Sequence, residues 1–375
     1  MGSYVFVLIV CSYKLNDHCG KKCAFARMTL GLVSESTLLA LLSVHVRRSF
    51  PPITVEGTAM KQHHENQHHE NQHHETGSQM SIYFSPDFIV DGAFDTIGKA
   101  GVLVDSLTAR PIPGTEIVSP APATRNDIVA VHDEFYVDQV LGGRSGQFSG
   151  DDESAASVLA TTGGVLRAVE TVLENGGCAG SLSSGLHHAK YDHGSGYCTF
   201  NGLVIGARKA LKLGARRVLI LDLDAHCGGG TKELIGLLRD QDIDGIEQVD
   251  VSVSSFDQYH NAPFAQLKIV GAIEYLSTIE QSLSDIADPQ SIDLVIYNAG
   301  MDPHEKAGGV TGINTEVIRR REAMVFEWSK SHNLPIVWVL AGGYSGDSFT
   351  KRDVAELHRI TAEEAARVYA QVVTS

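Results

Sequence analysis

Four short apolar-rich runs, at residues 218–221, 250–253, 294–297 and 336–340, constrain this chain more than any other feature. A strand with one wet face alternates apolar and polar residues, whereas a run apolar on both faces has to be covered on both. Helical patterns stand around these runs. Val158, Leu159, Val165, Leu166, Val169, Val172 and Leu173 fall on one helical face, and Asn175-Gly176-Gly177 supplies a stop. Further helical patterns occupy residues 203–213 and 315–331, the second carrying Val317, Ile318, Val325 and Trp328. Strands alternating with helices predict an α/β fold on a parallel sheet buried on both faces.

Polar chemistry follows three of the runs directly. Asp222-Leu223-Asp224-Ala225-His226 continues the first, Asn298 to Asp302 continues the third, and Ala341-Gly342-Gly343-Tyr344 continues the fourth. The carboxyl edge of an open parallel sheet is where ligands bind, so these segments are expected to converge. Asp222, Asp224 and His226 are spaced two apart and leave an extended backbone on one side. Carboxylates beside buried aliphatics need a counter-charge, and a bound cation supplies one. Oxygen and nitrogen donors suit zinc, ferrous iron or manganese, and three protein ligands leave a position open. Taken alone, the motif is equally well read as a solvated strand end with a capping role. His187-His188 lie in a glycine-punctuated loop, and the two glycines before Tyr344 allow a turn that aims its phenol into a cavity.

The bulk numbers bound the rest. A chain of 375 residues, 43% of them hydrophobic, accommodates one large domain with an appendage. The net charge of -15 argues against direct nucleic-acid binding, which needs a basic surface. Six scattered cysteines form no disulfide framework, which indicates a reducing compartment and a cytoplasmic location. The apolar stretch at 4–11 lacks a basic leader, and that at 28–46 is broken by Ser34, Glu35, Ser36 and Thr37, so no signal peptide or membrane anchor is expected. A Gln-His-His-Glu-Asn repeat over residues 62–75 holds six of the 17 histidines (His63, His64, His68, His69, His73 and His74) and reads as a disordered linker rather than a metal site. The composition changes at Met80, so residues 1–79 are expected to be a disordered extension and residues 80–375 the folded domain.

Five ordered motifs give the domain a resemblance. His187-His188-Ala189, Gly196-Tyr197-Cys198-x-Phe200-Asn201, Leu221 to His226, Ala299 to His304 and Gly342-Gly343-Tyr344 occur in the order and approximate spacing of the histone deacetylase family. That family includes bacterial acetoin-utilisation proteins and acetylpolyamine amidohydrolases. The resemblance spans roughly residues 80–370, with Pro120 to Thr124 and Val131 to Tyr136 also similar. It implies a three-layer αβα arginase/deacetylase-like fold and a zinc-type deacetylase acting on an acylated amine, either protein lysine or a small molecule such as a polyamine. It implies that Asp224, His226 and Asp302 hold one divalent ion and that Tyr344 hydrogen-bonds the substrate carbonyl. His188 becomes the general base and later acid, His187 its electrostatic partner polarised by Asp222, and Gly196 and Tyr197 one wall of the substrate channel. Asp222 and Ser254 resemble part of a structural monovalent-cation (K+) site.

The chain departs from the family after His226, where Cys227-Gly228-Gly229-Gly230 stands. Gly229 replaces the acid or amide that orients the second histidine, so a water or another side chain must serve His188. Cys227 reads as a packing residue. Two alternatives stay open at this point: a ureohydrolase-like metalloenzyme of the same fold, whose binuclear site needs further acids, and a non-catalytic binding module.

Overall fold

The structure is a computed structural model that describes residues 7–14, 25–32, 79–89, 95–144 and 152–370. Its centre is an eight-stranded sheet of β3 (Met80–Tyr83), β4 (Thr115–Val118), β5 (Cys178–Ser184), β6 (Val218–Asp222), β7 (Ile246–Ser252), β8 (Ala265–Ile269), β9 (Leu294–Gly300) and β10 (Ile336–Ala341). The order across the sheet is β4-β3-β5-β10-β9-β6-β7-β8, and every pairing is parallel. Three of the apolar runs form β6, β9 and β10, the inner strands beside one another. The run at 250–253 is the end of a longer strand, β7.

Alternate residues of these strands feed two separate cores, which makes the architecture three-layered. Leu219, Leu221, Val295, Tyr297, Ile336 and Trp338 face one core, while Val218, Ile220, Leu294, Ile296, Val337 and Val339 face the other. The first is closed by helices Asp95–Ala109, Tyr275–Ser284, Thr315–Ser331 and Lys351–Tyr369. Helices Asp152–Asn175, Gly202–Lys212 and Gly229–Arg239 close the second. Within the first of these three, Ala155–Asn175 is apolar and long enough to cross a membrane, but 61% of that window is buried inside the fold.

The N-terminal segment belongs to a separate unit, Met1–His73. There Val7–Lys14 and Phe25–Leu32 pair antiparallel, as β1 and β2. The rest of the extension expected over residues 1–79, including the histidine-rich repeat at 62–75, lies outside the described residues apart from Gln79.

Candidate active site

β6 ends at Asp222 and the chain then bends, so Asp224 and His226 stand just past the strand rather than on it. Their side chains still converge, together with Asp302 from the turn after β9. Ligand atoms of Asp224, His226 and Asp302 lie within 4.8 Å of one another. His226 Nδ1 is 3.2 Å from Asp224 Oδ1 and 3.1 Å from Asp302 Oδ2. Asp302 is fully buried; its Oδ1 accepts from Ala225 N at 2.9 Å, while its Oδ2 has no partner of hydrogen-bond geometry. Two buried carboxylates around one imidazole, with an oxygen left over, are costly without a cation and suit a divalent ion that takes oxygen and nitrogen donors. The donor set fits such an ion.

The charges say the same. Burial opposes ionisation of His226, yet the carboxylates of Asp224 and Asp302 raise its pKa to about 10. Burial, then the neighbouring Asp224, pushes Asp302 above the usual carboxylate range. Against burial, His187 and His226 hold Asp224 far below it.

Asp222 turns away from this cluster. Its Oδ2 accepts from His187 Nδ1 at 2.7 Å, and its Oδ1 from Asn298 Nδ2 at 2.9 Å and Asp224 N at 3.2 Å. His187 and His188 sit in the loop after β5 with their Nε2 atoms 3.1 Å apart. That loop is pinned by His132, which burial keeps neutral with a pKa lowered to about 4. Nδ1 of His132 donates to Lys190 O at 2.8 Å and Nε2 accepts from Asn201 N at 2.9 Å, an assignment made from the partners. Asn201 caps helix Gly202–Lys212 through Val204 N and donates to Thr231 Oγ1 at 3.0 Å.

Tyr344 reaches the same place through the glycine turn after β10. Gly342 has φ 43° and a Cβ there would come within 2.1 Å of Asp302 Cγ, so only glycine lets the turn lie on the Asp302 carboxylate. Burial first, and then the carboxylates of Asp302 and Asp224, drive the Tyr344 phenol well above its ordinary pKa, which keeps it a donor. A cavity of about 90 Å³ is lined by His187, His188, Asp224, His226 and Tyr344, with Gly196 and Tyr197 on its wall. It continues to Ser157, Thr161, Leu182 and the buried Lys99, whose ammonium donates to Gly342 O.

Several side chains at the site carry no local sequence signal. Asp257 Oδ2 lies 2.9 Å from His188 Nδ1, and Lys190 Nζ lies 2.8 Å from Asp257 Oδ1. Phe256, half exposed, stands edge-on to His188 with ring centroids 4.9 Å apart. The hydroxyl that meets the His226 carbonyl, at 3.1 Å, belongs to Ser252; Ser254 Oγ instead accepts from Phe256 N. Cys227 is fully buried, donates to Ser254 O at 3.2 Å, and has its thiol pKa pushed by burial up to about 12, as a packing residue should.

The histone deacetylase domain family matches residues 95–256, a stretch that contains His187, His188, Asp222, Asp224 and His226 but stops before Asp302 and Tyr344. Histone deacetylase 2 of Arabidopsis thaliana is 27% identical over 252 residues, 62% of this chain and 64% of that protein, so just under two thirds of the plant protein is spanned. A probable deacetylase of Methanothermobacter thermautotrophicus is 26% identical over 313 residues, 76% of this chain and 92% of the archaeal protein. Among solved structures, an acetylpolyamine aminohydrolase from Burkholderia pseudomallei superposes with a TM-score of 0.63 at 18% identity, covering 77% of this chain and 99% of that one. This last likeness is one of fold.

Proposed function

We propose that the chain, whose residues 95–256 match the histone deacetylase domain family, is a metal-dependent deacetylase releasing acetate or a related acyl group from an amine. The observation that carries the reading is the meeting of the Asp224, His226 and Asp302 donors beside a cavity lined by Asp224, His226, the His187–His188 pair and the Tyr344 phenol. Those three ligands would hold one divalent ion, zinc first, with ferrous iron or manganese as alternatives. Such an ion supplies a Lewis acid for the carbonyl and brings a water's pKa from about 16 towards about 7.

The side chains do the rest. His188, with Nδ1 directed to Asp257, presents Nε2 to the cavity as proton acceptor and returns the proton to the departing amine. His187 carries positive charge against Asp222 and steadies the pair. Tyr344 donates to the carbonyl oxygen as negative charge gathers there, an interaction worth about 3 kcal/mol in comparable sites. Gly196 and Tyr197 bound a channel that a linear acylated amine can enter, and Lys99 at the buried end suits a departing carboxylate. One ligand cluster of this kind occurs among the described residues, which supports a mononuclear site over the binuclear ureohydrolase alternative. Asp257 answers the departure at Gly229 that keeps a binding-only reading open.

The test is hydrolysis of acetyl-lysine peptides and acetylated polyamines by the full chain, stripped of metal and reloaded with zinc, ferrous iron or manganese. Acetate release should require metal, vanish in Asp302→Ala, and fall about 100-fold to 1,000-fold in Tyr344→Phe. Stoichiometric metal uptake with no turnover on any amide would defeat the deacetylase reading, and failure to bind metal would defeat the ligand assignment.

A further inference from the structure

Gly229 opens helix Gly229–Arg239 with no side chain to offer His188, yet the imidazole is not left without an acceptor. The space beside Gly229 is filled. A Cβ built there would come within 2.4 Å of both the carbonyl oxygen and Oδ1 of Asp257, and within 2.6 Å of its Cγ. Asp257 arrives from the loop after β7 with φ 58°, a left-handed conformation that aspartate tolerates better than most residues. Three donors fix its carboxylate: His188 Nδ1 at 2.9 Å, Lys190 Nζ at 2.8 Å and Gly230 N at 3.2 Å. The preceding residue, Phe256, sets its ring perpendicular to His188, at 89°.

We infer that Asp257 is the positioning residue of His188, its carboxylate occupying the space a side chain at 229 would need, with Lys190 holding that carboxylate in place. The inference rests on the deacetylase reading for its catalytic meaning, but not for its geometry. An acceptor on Nδ1 keeps the imidazole proton on that nitrogen and leaves Nε2, 3.1 Å from His187 Nε2 at the cavity, as the proton-accepting atom. A side chain anchored at 229 and one anchored at 257 can reach the same nitrogen, but they exclude each other. A loss at one position is therefore compatible with a gain at the other.

The pair of positions can be exchanged. Asp257→Gly removes the carboxylate without strain, because glycine accepts the positive φ, and Asp257→Asn keeps an acceptor in place. The double variant Gly229→Asp/Asp257→Gly moves the carboxylate to the helix start, and glycine at 257 lets the backbone carbonyl, otherwise 2.4 Å from the new Cβ, turn aside. Two measurements are made on the full, zinc-loaded chain: the ring nitrogen chemical shifts of His188, assigned against His188→Gln, and kcat and KM separately.

The Nδ1–H tautomer should dominate in the wild type, be lost in Asp257→Gly, and return in Asp257→Asn and in the double variant. Turnover should follow, with kcat about 10-fold to 100-fold lower in Asp257→Gly, KM changed less than about 2-fold, and most of the loss recovered in the double variant. Gly229→Asp alone should be worse than either, since two carboxyl groups contend for one space. A tautomer indifferent to Asp257→Gly, or a loss of kcat that Asp257→Asn does not restore, overturns the inference and leaves Asp257 as a helix-start cap. A wild type that hydrolyses no amide while its His188 shifts respond as stated sinks the deacetylase reading and leaves the positioning of His188 standing.

Discussion

His187 and His188 are adjacent in sequence, and each directs its Nδ1 at a carboxylate, yet the protein drives their protonation in opposite directions. Burial disfavours charge on both. At His187 the carboxylates of Asp222 and Asp224 outweigh it and raise the pKa to about 10. At His188 burial and the charge of His187 prevail over Asp257, and the pKa falls to about 4. The surroundings of the two carboxylates differ as well. The Asp222 side chain is 1% exposed and, beyond His187, takes only the neutral donors Asn298 and Asp224 N, whereas the Asp257 side chain is 14% exposed and has Lys190 on its other oxygen. The Asp257 carboxylate aligns His188 but does not offset burial and the charge of His187.

The largest effect that would break this contrast is on stability. Asp222→Ala strips a buried carboxylate from His187, Asn298 and the 222–224 turn, and should cost about 3–5 kcal/mol in denaturant unfolding. Asp257→Asn, at a site water can reach, should cost no more than about 1 kcal/mol. Equal costs would erase the distinction between the two partners.

The contrast extends to His226, which resembles His187 in its raised pKa. Loading zinc into the metal-free chain at pH 7.5 should release about one proton from His226, read with an indicator dye in weak buffer. Release of none would mean that His226 is neutral before the metal arrives.

Stability against pH sharpens the comparison further. His187 is protonated in the fold up to about 10, so its contribution in the metal-free chain is complete below about 6.5 and is lost as pH rises towards 10. His188 has the opposite sign: its contribution is complete above about 6.5 and declines as pH falls towards 4. The thermal midpoint should therefore fall on both sides of neutrality, by roughly 2–4 °C per kcal/mol lost, and Asp222→Asn should flatten the alkaline side. The smallest effect belongs to Lys190→Met, which leaves Asp257 uncompensated. The acid limb of the pH–rate profile should move upward, with a stability change under about 1 kcal/mol.

The convergence of Asp224, His226 and Asp302 was legible because its signals are local. A parallel strand ends at a known edge, residues spaced two apart after β6 emerge together, and glycines before Tyr344 mark the turn that reaches Asp302. The bend after Asp222 altered the route but not the destination for Asp224 and His226, and sent Asp222 to His187, the partner the family resemblance implied. The surroundings of His187 and His188 were only half legible. His187 and His188 announced themselves, but Asp257 lies 69 residues from His188 in an irregular loop with no periodicity to mark it.

Arg321 tells the same story on the far side of the sheet. Charged residues on helix Thr315–Ser331 are expected to face water, yet Arg321 is fully buried and grips Gly300 O at 2.6 Å and Leu223 O at 3.1 Å, tying together the chain at the ends of β9 and β6. β5 was hidden differently. Its Cys-Ala-Gly-Ser-Leu-Ser-Ser sequence lacks the aliphatic density of its neighbours, because a Cβ at Gly180 would come within 2.1 Å of the Trp338 ring on β10.

By itself the sequence determined the fold class, the edge of the sheet that carries chemistry and the residue types gathered there, since each follows from spacing along one strand or one turn. Which carboxylate serves which histidine, and which charges lie inside, was decided only when loops distant in sequence were brought within 3 Å. Burial then sets the cost of every unpaired charge, and no local pattern records who the partner will be.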